Sequence, residues 1–207
     1  NNLIGWWKFD NDTNATVRDS SGNNNHGTLR NSSHALVTTQ HKTDTPFGTG
    51  KAADLNGNHY VVVSTPGQDT FDGGNQFTVA FWTKEFPDNN WDPFIAKRGE
   101  SGQGWQVRRY AGNQQCSFTL RGPGGDDALR PTINVSNWTH IAAVWGGGYR
   151  KIFVNGALEA SEIRNGAVNV SDSALVFGAK DNSGNYNSAS PNIGSYGSIW
   201  LDDVRFY

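Results

Sequence analysis

The stretch from Asn137 to Gly156, NWTHIAAVWGGGYRKIFVNG, constrains the fold of this chain more than any other. Trp138 to Trp145 is a run of aromatic, β-branched and small residues. Gly146-Gly147-Gly148 then lets the backbone turn through φ > 0 at little steric cost. Tyr149 to Val154 runs back, and Asn155-Gly156 is a strong type I′ turn signal. Strand alternation puts Ile141, Ala143 and Trp145 on one face, with Trp138, His140, Ala142 and Val144 on the other. Neither face is purely polar, which places this hairpin in the middle of a layered sheet.

The rest of the chain reads the same way. Leu3–Asp10 is an expected opening strand with Leu3, Trp7 and Phe9 on one face, followed by a long polar loop, Asn11–Arg30. Ala52–Leu55 and Tyr60–Val63 flank Asn56-Gly57. In Phe77–Thr83, Phe77, Val79 and Phe81 point one way and Thr78, Ala80 and Trp82 the other. Phe94–Lys97, Trp105–Tyr110 and Ser117–Arg121 are successive strands, and Leu158–Ala160 and Ala174–Ala179 continue the sheet. Helical periodicity does not persist beyond a turn, and no repeat or linker divides the chain. The expectation is an all-β, two-sheet antiparallel β-sandwich with a concave and a convex side, one domain over residues 1–207.

Composition excludes several partners. Charged residues make up 17 % and the net charge is −2, so no electrostatic case exists for nucleic acid or anionic membranes. No apolar run approaches the roughly 20 residues that span a bilayer. There is no leader-like segment and no starting Met, which suggests that Asn1 is a mature terminus. The one cysteine, Cys116, lies in a strand-like run and reads as a buried, inert thiol. Sequons at Asn11, Asn14, Asn31, Asn134, Asn137 and Asn169 permit glycosylation without showing it.

W-T-H-I-A-A-V-W, a glycine turn and K-I-F-V-N-G closely resemble the signature hairpin of laminin-G-like jelly rolls in the concanavalin A-like lectin/glucanase superfamily. Three further segments agree in order. Gly5–Leu29 resembles the family's first strand and following loop, Phe77–Thr83 its mid-sheet strand, and Ile199–Tyr207 its closing strand. The resemblance implies the jelly-roll fold, secretion, and a polar loop after the first strand that folds back as an ordered element. The superfamily holds lectins, glycosidases, lyases and adhesion modules, so function has to come from the site.

Asp202 is the first candidate. Alternation puts it on a face with Trp200, Val204 and Phe206, where an ionised carboxylate is costly unless paired or bound to a cation. The resemblance implies a structural calcium clipping the first and last strands, held by Asp202, by Asp10 or its neighbour at the end of the first strand, and by Gly57 in the Asn56-Gly57 turn. The alternative is a bridge from Asp202 to Lys8 or Arg205, or a hydrogen-bonded turn. Hard oxygen ligands suit calcium; the five histidines lack zinc-site spacing.

Catalysis is less well served. A glycosidase needs two carboxylates about 5 to 9.5 Å apart. The E-x-D-x-x-E strand of laminarinase-like relatives has no match, and Glu85, Glu100, Glu159 and Glu162 sit in turns or at strand ends. Gln106, Arg108, Tyr110 and His140 share residue types with lyase relatives but not their order or spacing. A Ser–His–Asp arrangement would have to recruit His140, which reads as a scaffold histidine.

Binding remains. Alternation that buries Phe118 and Leu120 turns Ser117, Thr119 and Arg121 outward. With Trp82, Gln106, Arg108, Tyr110 and His140 they are expected to line the concave face, where rings stack on sugars and Arg and Gln hydrogen-bond hydroxyls. Trp91, Tyr186 and Tyr196, in polar loops, are weaker candidates, and Asp126-Asp127 reads as a solvated loop tip. The sequence therefore points to a secreted, monomeric, non-catalytic carbohydrate-binding module with a structural calcium, possible as one piece of a larger protein. A polysaccharide-active enzyme and an adhesion module without a glycan site are the competing classes.

Overall fold

The computed structural model describes residues 2–38, 40–63, 70–98, 103–111, 114–122, 127–135, 137–183 and 186–207. The first strands are β1 (Gly5–Trp7), β2 (Thr16–Val17), β3 (Gly27–Asn31), β4 (His41–Lys42), β5 (Ala52–Asn56) and β6 (His59–Val63). Next come β7 (Phe77–Thr83), β8 (Pro93–Lys97), β9 (Trp105–Tyr110), β10 (Gln115–Leu120), β11 (Asp127–Leu129) and β12 (Thr139–Gly146). The last are β13 (Tyr149–Val154), β14 (Ala157–Ile163), β15 (Leu175–Phe177), β16 (Lys180–Asp181), β17 (Ile193–Gly194) and β18 (Ser198–Phe206). No helix among the described residues is long and apolar enough to cross a membrane.

Two eight-stranded antiparallel sheets form the expected sandwich. Sheet I runs β14-β13-β12-β7-β18-β5-β4, with β1 pairing to the second half of β18. Sheet II runs β11-β10-β9-β8-β15-β6-β3-β2. The chain crosses between the sheets at Asn56-Gly57, since β5 belongs to sheet I and β6 to sheet II.

The hairpin forms as its sequence dictates. Gly146 pairs with Tyr149 around Gly147 and Gly148, at φ 60 and 78. Val154 pairs with Ala157 around Asn155 and Gly156, at φ 50 and 82, the two positive values that define a type I′ turn. β12 lies inside sheet I between β7 and β13, with Ile141, Ala143 and Trp145 in the core and His140, Ala142 and Val144 half-buried on the outer face. Phe77, Val79 and Phe81 are buried beside them.

Sheet II meets this face with Phe94, Trp105, Val107, Phe118, Leu120 and Phe177, all fully buried. Phe206 joins the layers, stacked on Phe77 at 5.5 Å and on Trp105 at 5.7 Å. Each such side chain removed from water contributes about 1.5–3 kcal/mol. Cys116 lies in the same core, as expected.

The polar loop after β1 is ordered around Asp19. Its carboxylate accepts hydrogen bonds from the backbone N–H groups of Trp6, Ser21 and Asn25. The opening strand itself is shorter than expected, because Phe9 turns out of the β region at φ 62 while still burying its ring.

The closing strand departs from plain alternation. Asp202 pairs with Trp82 and Arg205 with Ala80, so β18 carries one extra residue there, and Asp203 adopts φ 49. Asp202 therefore does not share a face with Val204 and Phe206. It lies on the outer side of sheet I, in register with Trp82, while Val204 and Phe206 turn into the core.

Candidate functional site

The six residues expected to share one face are divided between two. Trp82 (β7) and His140 (β12) stand opposite each other on the outer face of sheet I, their rings 5.2 Å apart. Gln106, Arg108 and Tyr110 (β9), with Arg121 just after β10, belong to sheet II, on the other side of the sandwich. In these four strands alternation gives the inward positions correctly; what it does not supply is which sheet each strand joins.

On sheet II, Thr119 lies opposite Gln106 and Ser117 opposite Arg108. Gln106, Ser117 and Thr119 point away from the core as expected but are fully occluded. Turned so that its oxygen faces the guanidinium groups, the Gln106 amide accepts from Arg108 Nε (3.1 Å) and Nη1 (3.2 Å) and from Arg98 Nη1 (3.1 Å). These residues form a floor. Burial first, then the charges of Arg98, Arg121 and Arg130, lower the Arg108 pKa to about 10.

Above this floor stands an aromatic pair. Trp91 is 41 % exposed and sits at φ 76, a conformation a bulky side chain rarely adopts. Its ring meets Tyr110 edge-on at 4.7 Å, and the Arg108 guanidinium lies 4.6 Å from it. Arg130 stacks over Tyr110 at 3.9 Å. The local reason is the approach to β8: the Arg109 N–H donates to the Asp92 carbonyl, which draws Trp91 alongside Tyr110. Asp92 itself is buried, and burial raises its carboxyl to about 6. Sequence reasoning singled out Trp91 only as a loop aromatic and missed Arg130, whose neighbours carry no local pattern. Tyr186 and Tyr196 instead pack on an apolar cluster of Tyr60, Val62 and Val176, which is the scaffold role.

The calcium candidates are partly brought together. Asp10 and Asp202 line one pocket of about 250 Å³ with Trp6, Lys8, Gly50 and Asp203. Gly57 is not among its lining residues; it lies beside Ser198, at the start of β18, because the crossover to sheet II carries it away. Gly50 takes that place, so close to Asp10 that a Cβ would fall 2.3 Å from Oδ1. Asp202 is 3 % exposed, and its carboxylate accepts the Asp203 N–H at 2.7 Å. Burial, then the carboxylates of Asp10 and Asp203, push its carboxyl up to about 7. Neither alternative bridge forms: Arg205 pairs with Asp203 at 3.0 Å, and the Lys8 ammonium sits over Trp6 at 3.8 Å. Among the described residues no group of three or more His, Cys, Asp or Glu is placed to hold a metal ion. Calcium here would rest on two carboxylates, backbone carbonyls and water.

The glutamates weighed for catalysis do not converge. Glu85 is exposed just after β7, while Glu159 and Glu162 are exposed on the edge strand β14, where Glu162 pairs with Arg150 at 2.7 Å. Glu100 and Asp126 lie outside the described residues, as does the Asp127 side chain. His140 is half-buried, and burial lowers its pKa, so it stands neutral at pH 7 beside Trp82.

The architecture and the aromatic-rich outer faces define a jelly roll of the laminin-G type. The profile of the Concanavalin A-like lectin/glucanases superfamily matches residues 55–207, and the chain belongs to that superfamily. No curated protein matches the chain. Among solved structures it is similar to domain 4 of AbnA, a GH43 extracellular arabinanase from Geobacillus stearothermophilus, in complex with arabinotriose. The TM-score is 0.69 at 20 % identity, covering 99 % of this chain and 91 % of that one. It is also similar to the binding domain of Botulinum Neurotoxin DC in complex with SialylT, with TM-score 0.68 at 16 % identity, over 99 % of this chain and 47 % of that one. The chain thus spans about half the length of the neurotoxin domain. At these identities the likeness is one of fold.

Proposed function

We propose that this chain is a non-catalytic carbohydrate-binding module of a secreted protein, and that it holds its glycan on the outer face of sheet II. The observation that carries this reading is Trp91, held exposed in a strained backbone conformation and braced by Tyr110 and Arg108. An open indole beside arginine and tyrosine offers stacking and hydrogen bonding to a sugar ring. Two structural neighbours in complexes with arabinotriose and SialylT favour the same class of ligand. Affinity of an isolated module is expected between about micromolar and millimolar, or −8 to −4 kcal/mol. NMR titration with arabinotriose tests it: Trp91→Ala, read at Tyr110, and Tyr110→Ala, read at the Trp91 indole, should each weaken binding on sheet II at least ten-fold without moving the melting temperature. Binding untouched by both substitutions, or product release from a polysaccharide, would overturn the reading.

A structural calcium ion at Asp10 and Asp202 belongs to the same proposal. The fit rests on a buried carboxyl with no cationic partner among the described residues, a second carboxylate close enough to perturb it, and Gly50 leaving room beside Asp10. Bound there, calcium would clip the β1 end to β18.

A further inference from the structure

The outer face of sheet I carries a pocket of about 560 Å³ lined by Trp82, Trp138, His140, Asn155, Asp203 and Arg205. That volume lies within the range of small-molecule clefts, about 300–1,000 Å³. Trp82 forms its aromatic wall, flanked by His140 at 5.2 Å and edge-on by Phe47 at 5.9 Å, a ring that is itself 56 % exposed. Phe47 and Trp82 thus present adjoining aromatic surface at the pocket's edge.

The polar groups around it are fixed. The bulge turns Asp203 to accept from Trp6 Nε1 at 2.5 Å and to pair with Arg205 at 3.0 Å. Asn155 Oδ1 takes the His140 N–H at 2.9 Å, which leaves the Asn155 amide nitrogen as the donor on the pocket side. Because Asp203 and Arg205 neutralise each other, the rim offers donors and acceptors without net charge. Such a rim suits a polyol rather than an ion.

We propose that this pocket is a second carbohydrate site, separate from that on sheet II, taking one or two residues of a neutral glycan against Trp82. Trp138 and Trp200, 6.3 Å apart, extend the aromatic surface beside it, although the ammonium groups of Lys42 and Lys84 lie over the Trp200 ring. Sites on opposite faces make the domain bivalent. It then bridges two glycan chains, with avidity above either site alone when both are engaged.

The test is NMR titration of the whole chain with arabinotriose, xylotriose and cellotriose, with sialyllactose as the charged control. The expected result is that a neutral trisaccharide shifts the Trp82 indole N–H and the His140 ring resonances in the wild type. The same shifts should persist in the Trp91→Ala/Tyr110→Ala double variant; in Trp82→Ala, which lacks the indole, the affinity read from the His140 ring resonances should weaken at least ten-fold. If that variant fails to fold, the wild-type and double-variant titrations still decide. The proposal is overturned if no neutral trisaccharide at about 10 mM moves these resonances, the outcome also expected of a face that docks a protein. It is overturned too if only sialyllactose does, or if the shifts vanish in the double variant. Persistence in the double variant separates this site from the failure or success of the sheet II reading.

Discussion

Replacing Asp202 with asparagine and following stability against pH tests a buried carboxyl that has no cationic partner among the described residues. Burial and two neighbouring carboxylates raise its carboxyl from 3.8 to about 7. The native protein then holds a proton that the unfolded chain releases between about pH 4 and pH 7. A carboxyl raised on folding contributes stability that is present below about pH 4 and lost as pH rises through about 7. At full strength the shift is worth about 4 kcal/mol. The carboxyl lines a pocket open to solvent, so roughly 2 kcal/mol is the expected size after screening. Urea melts in EDTA from pH 4.5 to 8 should show the wild type losing that amount relative to Asp202→Asn, whose amide cannot ionise. The comparison matters because Asp92, raised to about 6, drives stability the same way, while Asp44, lowered by its bonds to Lys84 and Trp138, drives it the other. Calcium at about 100 times its dissociation constant should return about 2.7 kcal/mol to the wild type near neutral pH. Parallel pH curves for the two proteins would refute the account of Asp202. A wild-type melt indifferent to EDTA and calcium, with no metal by elemental analysis, would sink the ion.

Trp145→Ala should cost about 3–5 kcal/mol in a urea melt, since the ring is 3 % exposed in the core face of the hairpin; a loss under 1 kcal/mol would reverse the face assignment. Lys97→Met should cost a similar ~3–5 kcal/mol. It removes the ammonium that pairs with the buried Asp72 carboxylate, 3.0 Å away, and holds the Ser173 carbonyl at 2.6 Å; adding Asp72→Leu should recover part of the loss. Cys116, fully buried with its thiol pushed up to about 12, should resist iodoacetamide until the domain is unfolded. Alkylation of the native protein at neutral pH would contradict that burial.

Much of the fold is legible in local chemistry. Alternation assigned the inward faces of β7 and β12 correctly, and the glycine and Asn-Gly turns formed where the residues demand φ > 0. Those features follow from a period of two and from steric limits, which act between residues close in sequence. The same rule failed at Asp202, because one extra residue in β18 reverses every side chain beyond it. The residue set implied by the family resemblance changes too, because a change of sheet carries Gly57 away from the pocket of Asp10 while Gly50 arrives from a loop with no marker of its own.

The binding residues show the division most clearly. Sequence alone determined that Trp82, His140, Gln106, Arg108, Tyr110 and Arg121 point away from the core of their strands. Only the tertiary structure decided that the first two lie on one side of the sandwich and the other four on the opposite side. It alone set Trp91 and Arg130 against Tyr110. The physical reason is that a strand's faces are set by its own backbone, whereas its neighbours are chosen by hydrogen bonding between segments far apart in the chain. That pairing leaves no trace in the spacing of residues along either one.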